Sequence, residues 1–191
     1  MRSNFQVLAS SVNVESEVKK SRFIGVAMPC ESEQQALQKL RELAAQYPNA
    51  NHLAFAWRIQ QAEGFITERF YDAGEPSGTA GRPILAPLQG ENLINAVVAV
   101  IRFFGGIKLG TGGLTRAYGN AAKQALAAAK FEPFVAMQKL TMTIDYSQLQ
   151  ILEYQLKQYD GHIIDQQFTD TVTVVINLPA TAATAIRQQF S

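Results

Sequence analysis

Apolar and polar positions alternate along this chain, and the period of the alternation changes several times. Val12, Val14 and Val18 are separated by Asn13, Glu15 and Glu17, the two-residue period of a half-exposed strand. Lys19-Lys20-Ser21 turns the chain, and a second strand runs through Phe23, Gly25 and Ala27. From Ser32 the period lengthens. Ser32 and Gln35 form a capping-box pattern, and Leu37, Leu40, Leu43, Ala44 and Tyr47 give one helix face before Pro48-Asn49 stops it. Residues 53–59 and 65–70 predict two more strands, hinged near Gly64, and a short helix starts around Pro83. The apolar run from Ala96 to Ile101 predicts a buried strand over 96–103. After a glycine-rich stretch, a helix over 113–129 places Leu114, Ala117, Tyr118, Ala121, Ala125 and Ala128 on one face.

Phe131-Glu132-Pro133-Phe134 reads as a linker. Beyond it Leu140, Met142 and Ile144 alternate with Thr141, Thr143 and Asp145, another strand. Ser147 and Gln150 open a helix with Leu149, Leu152, Leu156 and Tyr159 inward, and Gly161 ends it. Strands at 162–168 and 171–178 form a hairpin, and Pro179 starts a terminal helix to Phe190. This order, β-α-β-β-α, is close to the ferredoxin-like pattern. The fold class is α+β in two domains, residues 1–133 and residues 134–191.

Composition narrows the function classes. Hydrophobic content of 47% suffices for two cores, and the longest apolar run falls far short of a membrane span, so no membrane partner is expected. One cysteine, Cys30, excludes an internal disulfide and suits the reducing cytoplasm. The net charge of +1 conceals a division, since residues 1–133 carry 14 basic and 11 acidic side chains and residues 134–191 carry 3 and 5. An electrostatic partner therefore belongs to the first domain.

The chemistry concentrates in Arg102–Gly119, RFFGGIKLGTGGLTRAYG. Strand, glycine loop and helix in that order aim backbone N–H groups and a helix N-terminus at an anion. Between Glu91 and Glu132 there is no acidic residue but five basic ones, and Arg116 stands near a helix start where the macrodipole disfavours a cation. A bound phosphate relieves that conflict. The P-loop pattern fails because Thr111-Gly112 follows Gly110, and the dinucleotide pattern fails because its last glycine falls on Thr115. His52 and His162 with one cysteine assemble no zinc set, so no metal or other cofactor is expected, and His52 reads as a packing histidine. Ser77 lacks the spacing of a nucleophile elbow. Asp72 and Glu75 could hold magnesium beside a phosphate, but Glu75 capping backbone amides in its own loop, or pairing with Arg82 or Arg58, is the plainer reading.

Two stretches carry a resemblance. Tyr71-Asp72-Ala73-Gly74-Glu75-Pro76-Ser77-Gly78-Thr79-Ala80-Gly81-Arg82-Pro83-Ile84-Leu85 and the glycine-rich stretch are similar to the two signatures of the IMPACT/YigZ family. Lys20-Ser21-Arg22-Phe23-Ile24 and His52–Arg58 also look like the family, and Ala73 departs from it where an acid is expected. The resemblance implies a first domain like domain IV of elongation factor G, with a left-handed βαβ crossover, and a second, ferredoxin-like, like that factor's domain V. It implies a role in regulation of translation or in stress response, through RNA, ribosome or translation-factor contact. With no complete catalytic constellation, the reading is a cytoplasmic binding protein and not an enzyme. The expected phosphate or nucleic-acid site combines Arg102, Gly105, Gly106, Lys108, Gly110, Thr111, Gly112, Gly113 and Arg116 with a supporting loop of Asp72, Glu75, Ser77 and Thr79. The competing reading is a phosphate- or nucleotide-binding phosphotransferase of GHMP-kinase-like architecture.

Overall fold

A computed structural model describes residues 4–191. It begins with a short strand, β1 (Gln6–Leu8), and continues through β2 (Val12–Val18), β3 (Ser21–Pro29) and helix α1 (Glu33–Gln46). Next come β4 (His52–Gln60), β5 (Ile66–Tyr71), α2 (Gly81–Gly90), β6 (Ala96–Phe103), α3 (Gly110–Ala128) and β7 (Phe131–Pro133). The chain divides after Phe134, and Val135–Ser191 packs separately.

Five strands of the first unit form one sheet in the order β2-β3-β6-β4-β5, every neighbouring pair antiparallel. Strands β3 and β4 therefore run parallel on either side of β6, with α1 connecting them. The two-residue period sorts side chains between two faces. Phe23, Ala27, Ala54, Ala56, Val98 and Val100 lie in a core with Ile84, Leu88, Leu114 and Ala121 from α2 and α3. Ile24, Val26, Phe55, Trp57, Val97 and Ile101 join Ala36, Leu40 and Leu43 of α1 in the other. Helices on both faces explain why β6 is apolar throughout rather than alternating.

Several expectations change at the element ends. Phe131–Pro133 is a strand, not a linker, because it pairs antiparallel with β1 through Gln6↔Pro133 and Leu8↔Phe131. That pairing joins segments far apart in sequence and leaves no local signal. Helix α2 begins at Gly81 rather than Pro83, and α3 begins at Gly110 rather than 113. On α1, Leu37 and Ala44 are exposed and Ala36 takes the buried place, and on α3 Ala128 is exposed while Ala122 and Leu126 are buried.

The second unit runs β8 (Met137–Ile144), α4 (Tyr146–Gln158), β9 (His162–Phe168), β10 (Val172–Pro179) and α5 (Ala180–Gln189). Its antiparallel sheet has the order β8-β10-β9, and Leu140, Ile144, Val174 and Ile176 pack on Leu152, Leu156, Ile186 and Phe190. The box that opens α4 is two residues earlier than the pattern suggested. Asp145 N donates to Gln148 Oε1 at 2.9 Å and Gln148 N donates to Asp145 O at 2.9 Å, so Asp145 takes the place expected of Ser147. Tyr159, expected inward, is 38% exposed because the helix has ended by then. Among the described residues the protein is thus mixed α and β with five helices and antiparallel sheets, and no helix is long and apolar enough to cross a membrane.

Small side chains on α3 let it lie close to the sheet. A Cβ on Gly25 of β3 would stand 2.5 Å from the carbonyl oxygen of Ala121. Gly25→Ala should therefore destabilise the first unit by about 1–3 kcal/mol, the range for overpacking, read as a lower urea midpoint.

Candidate functional site

Strand register builds the floor of the site. Arg102 on β6 is the Cα partner of Phe23 on β3 and of His52 on β4, so all three stand in one row on the face covered by α2 and α3. The loop between β5 and α2 brings Glu75 to this row, and α3 brings Tyr118. Nη1 of Arg102 donates to both oxygens of Glu75, at 3.0 and 2.7 Å, and Tyr118 donates its hydroxyl to Glu75 Oε2 at 2.7 Å. His52 Nε2 lies 3.2 Å from Glu75 Oε1. Its Nδ1 is 2.8 Å from the carbonyl oxygen of Ala73, an acceptor only, so Nδ1 carries a hydrogen. Arg102 Nη2 reaches Ser21 Oγ at 3.4 Å, and the guanidinium lies 5.8 Å from the Phe23 ring and 5.5 Å from the Phe104 ring.

Arg102 and Glu75 have side chains 6% and 5% exposed, so each depends on the other to offset desolvation. Burial first, and the neighbouring carboxylate second, push the Tyr118 phenol far above its ordinary range, and it remains a donor. Contrary to expectation, Glu75 therefore neither caps its own loop nor pairs with Arg82 or Arg58, because the loop turns it inward to Arg102, while Arg58 faces Glu68. From the sequence, His52 reads as a packing histidine and Tyr118 as part of one helix face. The signal that would have joined them is the register, which places His52 opposite Arg102.

Asp72 has a different task. Its Oδ2 accepts from Gly78 N at 2.9 Å, and its Oδ1 accepts from Ala80 N at 3.1 Å and Gly81 N at 2.8 Å. It closes the loop and satisfies the first N–H groups of α2, which has no cap from Ala80. Burial alone would raise its pKa, but the three N–H donors and then Arg82 outweigh that and hold it below the ordinary value. Thr79 is buried and donates to Pro76 O at 2.5 Å, whereas Ser77 is exposed. Asp72 and Glu75 are thus bound to protein groups, which leaves the magnesium and phosphotransferase readings without a free carboxylate pair. Among the described residues no group of three or more His, Cys, Asp or Glu could hold a metal ion.

The glycine stretch divides into a turn and a helix start. Gly106 and Gly110 have φ of 90° and 74°, values that favour glycine, while Gly112 and Gly113 lie in the first turn of α3. No side chain caps this 19-residue helix, whose N-terminus borders a pocket of about 450 Å³. Lys108, Gly110 and Thr111 line it on one side, His52, Glu75 and Arg102 on another, and Phe104 and Leu114 supply apolar surface. Arg102 faces this pocket as a partner of Glu75 and not as an open cation. Lys108 and Arg116 are exposed, and among the described residues neither has a carboxylate partner. Arg116 lies back over Gly112, its Nη1 3.4 Å from where a Cβ would stand.

Comparison with known proteins follows the same division of the chain. A family model described as the Impact N-terminal domain matches residues 19–126, and one described as a domain of unknown function, DUF1949, matches residues 142–191. "IMPACT family member YigZ" of Escherichia coli (strain K12) is 37% identical over 172 residues, 90% of this chain and 84% of that protein. An "IMPACT family member" of Haemophilus influenzae is 36% identical over 174 residues, 91% of this chain and 84% of that protein. A solved structure described as "Crystal structure of an hypothetical protein" superposes with a TM-score of 0.74 at 34% identity, covering 96% of this chain and 89% of the other.

Two substitutions separate the roles of the carboxylates. Glu75→Gln leaves the Arg102 charge buried without its counter-ion and should cost about 3–5 kcal/mol, whereas Glu75→Leu with Arg102→Met should recover much of that loss. Urea unfolding of the single and double variants measures the coupling. Asp72 has a folded pKa below the unfolded value of about 3.9, so its contribution is present above that pH and disappears as pH falls through the folded pKa. Asp72→Asn should lower stability by about 1 kcal/mol at neutral pH and flatten its decline below pH ~4, as followed by melting temperature against pH.

Proposed function

The chain belongs to the IMPACT family, and we propose that it is a cytoplasmic binding protein that regulates translation, including under stress, by contact of its first unit with RNA. Ribosomes and translation factors are the setting in which such a contact operates, and the likeness to domains IV and V of elongation factor G that the family implies is part of this reading. The observation that carries it is the N-terminus of α3. An uncapped helix start borders a pocket, Lys108 and Arg116 stand beside it without carboxylate partners among the described residues, and no acidic residue occurs between Glu91 and Glu132. Unpaired amides, the positive end of a helix and two free cations suit a phosphate of an RNA backbone. Tyr118 and Glu75 hold Arg102 as part of the floor, so Lys108 and Arg116 supply the charge that a phosphate meets.

The full chain should bind single-stranded RNA weakly and with little sequence preference, its affinity falling with salt at a log–log slope of about −2 to −4. Lys108→Ala and Arg116→Ala should each weaken binding about tenfold or more with melting temperature unchanged, since a charge-assisted contact is worth about 1.5–3 kcal/mol. Titration of a fluorescent 12-nucleotide oligouridylate at several salt concentrations measures both. Salt-independent binding, or loss of stability with unchanged affinity, overturns the reading.

A further inference from the structure

The turn between β2 and β3 uses residues that its backbone does not favour. Val18 and Ser21 are direct partners across the hairpin, so Lys19 and Lys20 alone make the turn. Both have left-handed backbone, φ 47° and 66°. Two positive φ values in a two-residue hairpin mark the turn type that Asn-Gly or Gly-Gly adopts freely, and a lysine at either place is strained. Strained residues persist where the surrounding structure holds them, and they gather at functional sites.

What holds this turn is the glycine stretch. A Cβ on Gly105 would stand 2.0 Å from the carbonyl oxygen of Lys20 and 2.6 Å from Ser21 N, so only glycine lets the turn sit there. Gly105 N also donates to Ser21 Oγ at 3.3 Å, and the same hydroxyl lies 3.4 Å from Nη2 of Arg102. The turn is thereby fixed to the strand that forms the pocket floor. Lys19 and Lys20 are exposed, and among the described residues neither has a carboxylate partner, while the nearby Arg22 is paired with Glu15. Phe104, the neighbour of Gly105, lines the pocket and is 48% exposed.

We propose that the Lys19-Lys20 turn is a second phosphate-binding element, which takes the backbone of single-stranded RNA on nucleotides adjoining the one held at the start of α3. The proposal rests on the RNA reading above and extends it to residues which that reading does not use. The turn abuts Gly105, the neighbour of Phe104, and Phe104 and Lys108 line one pocket, so cations and aromatic surface come together as single-strand binders combine them. An acidic peptide would use the lysines but has no base to place on Phe104.

The test uses the full chain with two probes, a 12-nucleotide oligouridylate and a polyglutamate peptide of equal charge. Lys19→Asn with Lys20→Gly relieves the backbone strain and removes the charge, so melting temperature should rise while RNA affinity falls at least tenfold. The log–log salt slope should shrink by about 1.4, the share of two phosphates on a single strand. Lys19→Gln with Lys20→Gln should lower affinity equally without the rise in melting temperature, and Lys19→Arg with Lys20→Arg should retain it. Unchanged affinity and slope in both charge-removing pairs, with a clear loss in Lys108→Ala, overturns this proposal and leaves the RNA reading standing. No loss in Lys108→Ala, Arg116→Ala or either pair overturns both. Polyglutamate binding as tight as RNA, lost in the same variants, overturns the choice of RNA as occupant.

Discussion

One carboxylate and one guanidinium, buried together between a sheet and two helices, set the terms for the first unit. Glu75 and Arg102 come from a loop and a central strand, and their contact is completed by Tyr118 from α3 and His52 from β4. Four segments must be in place before either charge is compensated, so an incomplete unit would hold an isolated ion in an apolar interior. The pair also separates two populations of charge. Arg102 is neutralised within the floor, and the cations that remain available lie at the outer rim, on Lys108, Arg116 and the β2–β3 turn.

The loop that delivers Glu75 bends through left-handed backbone at Ala73, Gly74 and Gly78, with φ of 54°, 84° and 80°. Asp72 holds that path through three backbone N–H groups. The family expectation of an acid at position 73 acquires a conformational explanation from this. Aspartate tolerates left-handed backbone better than alanine does, and no ligand has to be invoked for it. Ala73 bears a small strain in a segment already fixed on both sides.

Most strands and helices were legible because their periods are clean, and β6 in particular could hardly be anything else. The misses have separate physical causes. The first strand and Phe131–Pro133 find each other across the whole unit, and neither has enough alternation to be read alone. Gly110 and Gly112 look like loop formers yet begin a helix, since packing of Leu114 and Ala117 on the sheet outweighs their poor propensity. The site was legible as a set of residues but not as an arrangement. Glu75, Arg102 and Asp72 were all singled out, but the loop-closing role expected of Glu75 belongs to Asp72, and Glu75 faces Arg102 instead of Arg82 or Arg58. That distinction depends on the course of nine residues between β5 and α2.

The β1–β7 pairing bears on how the chain emerges from a ribosome. Gln6–Leu8 is made first, yet its partner Phe131–Pro133 is the last strand of the unit. At about 5–20 residues per second, the opening strand waits roughly 6–25 s for the segment that will cover it. Throughout that interval the five-stranded sheet can assemble and the buried ion pair can close while the first strand keeps a free edge. Phe131–Pro133 precedes every strand of the second unit, so all strands of the first unit are made before the neighbouring sheet is complete.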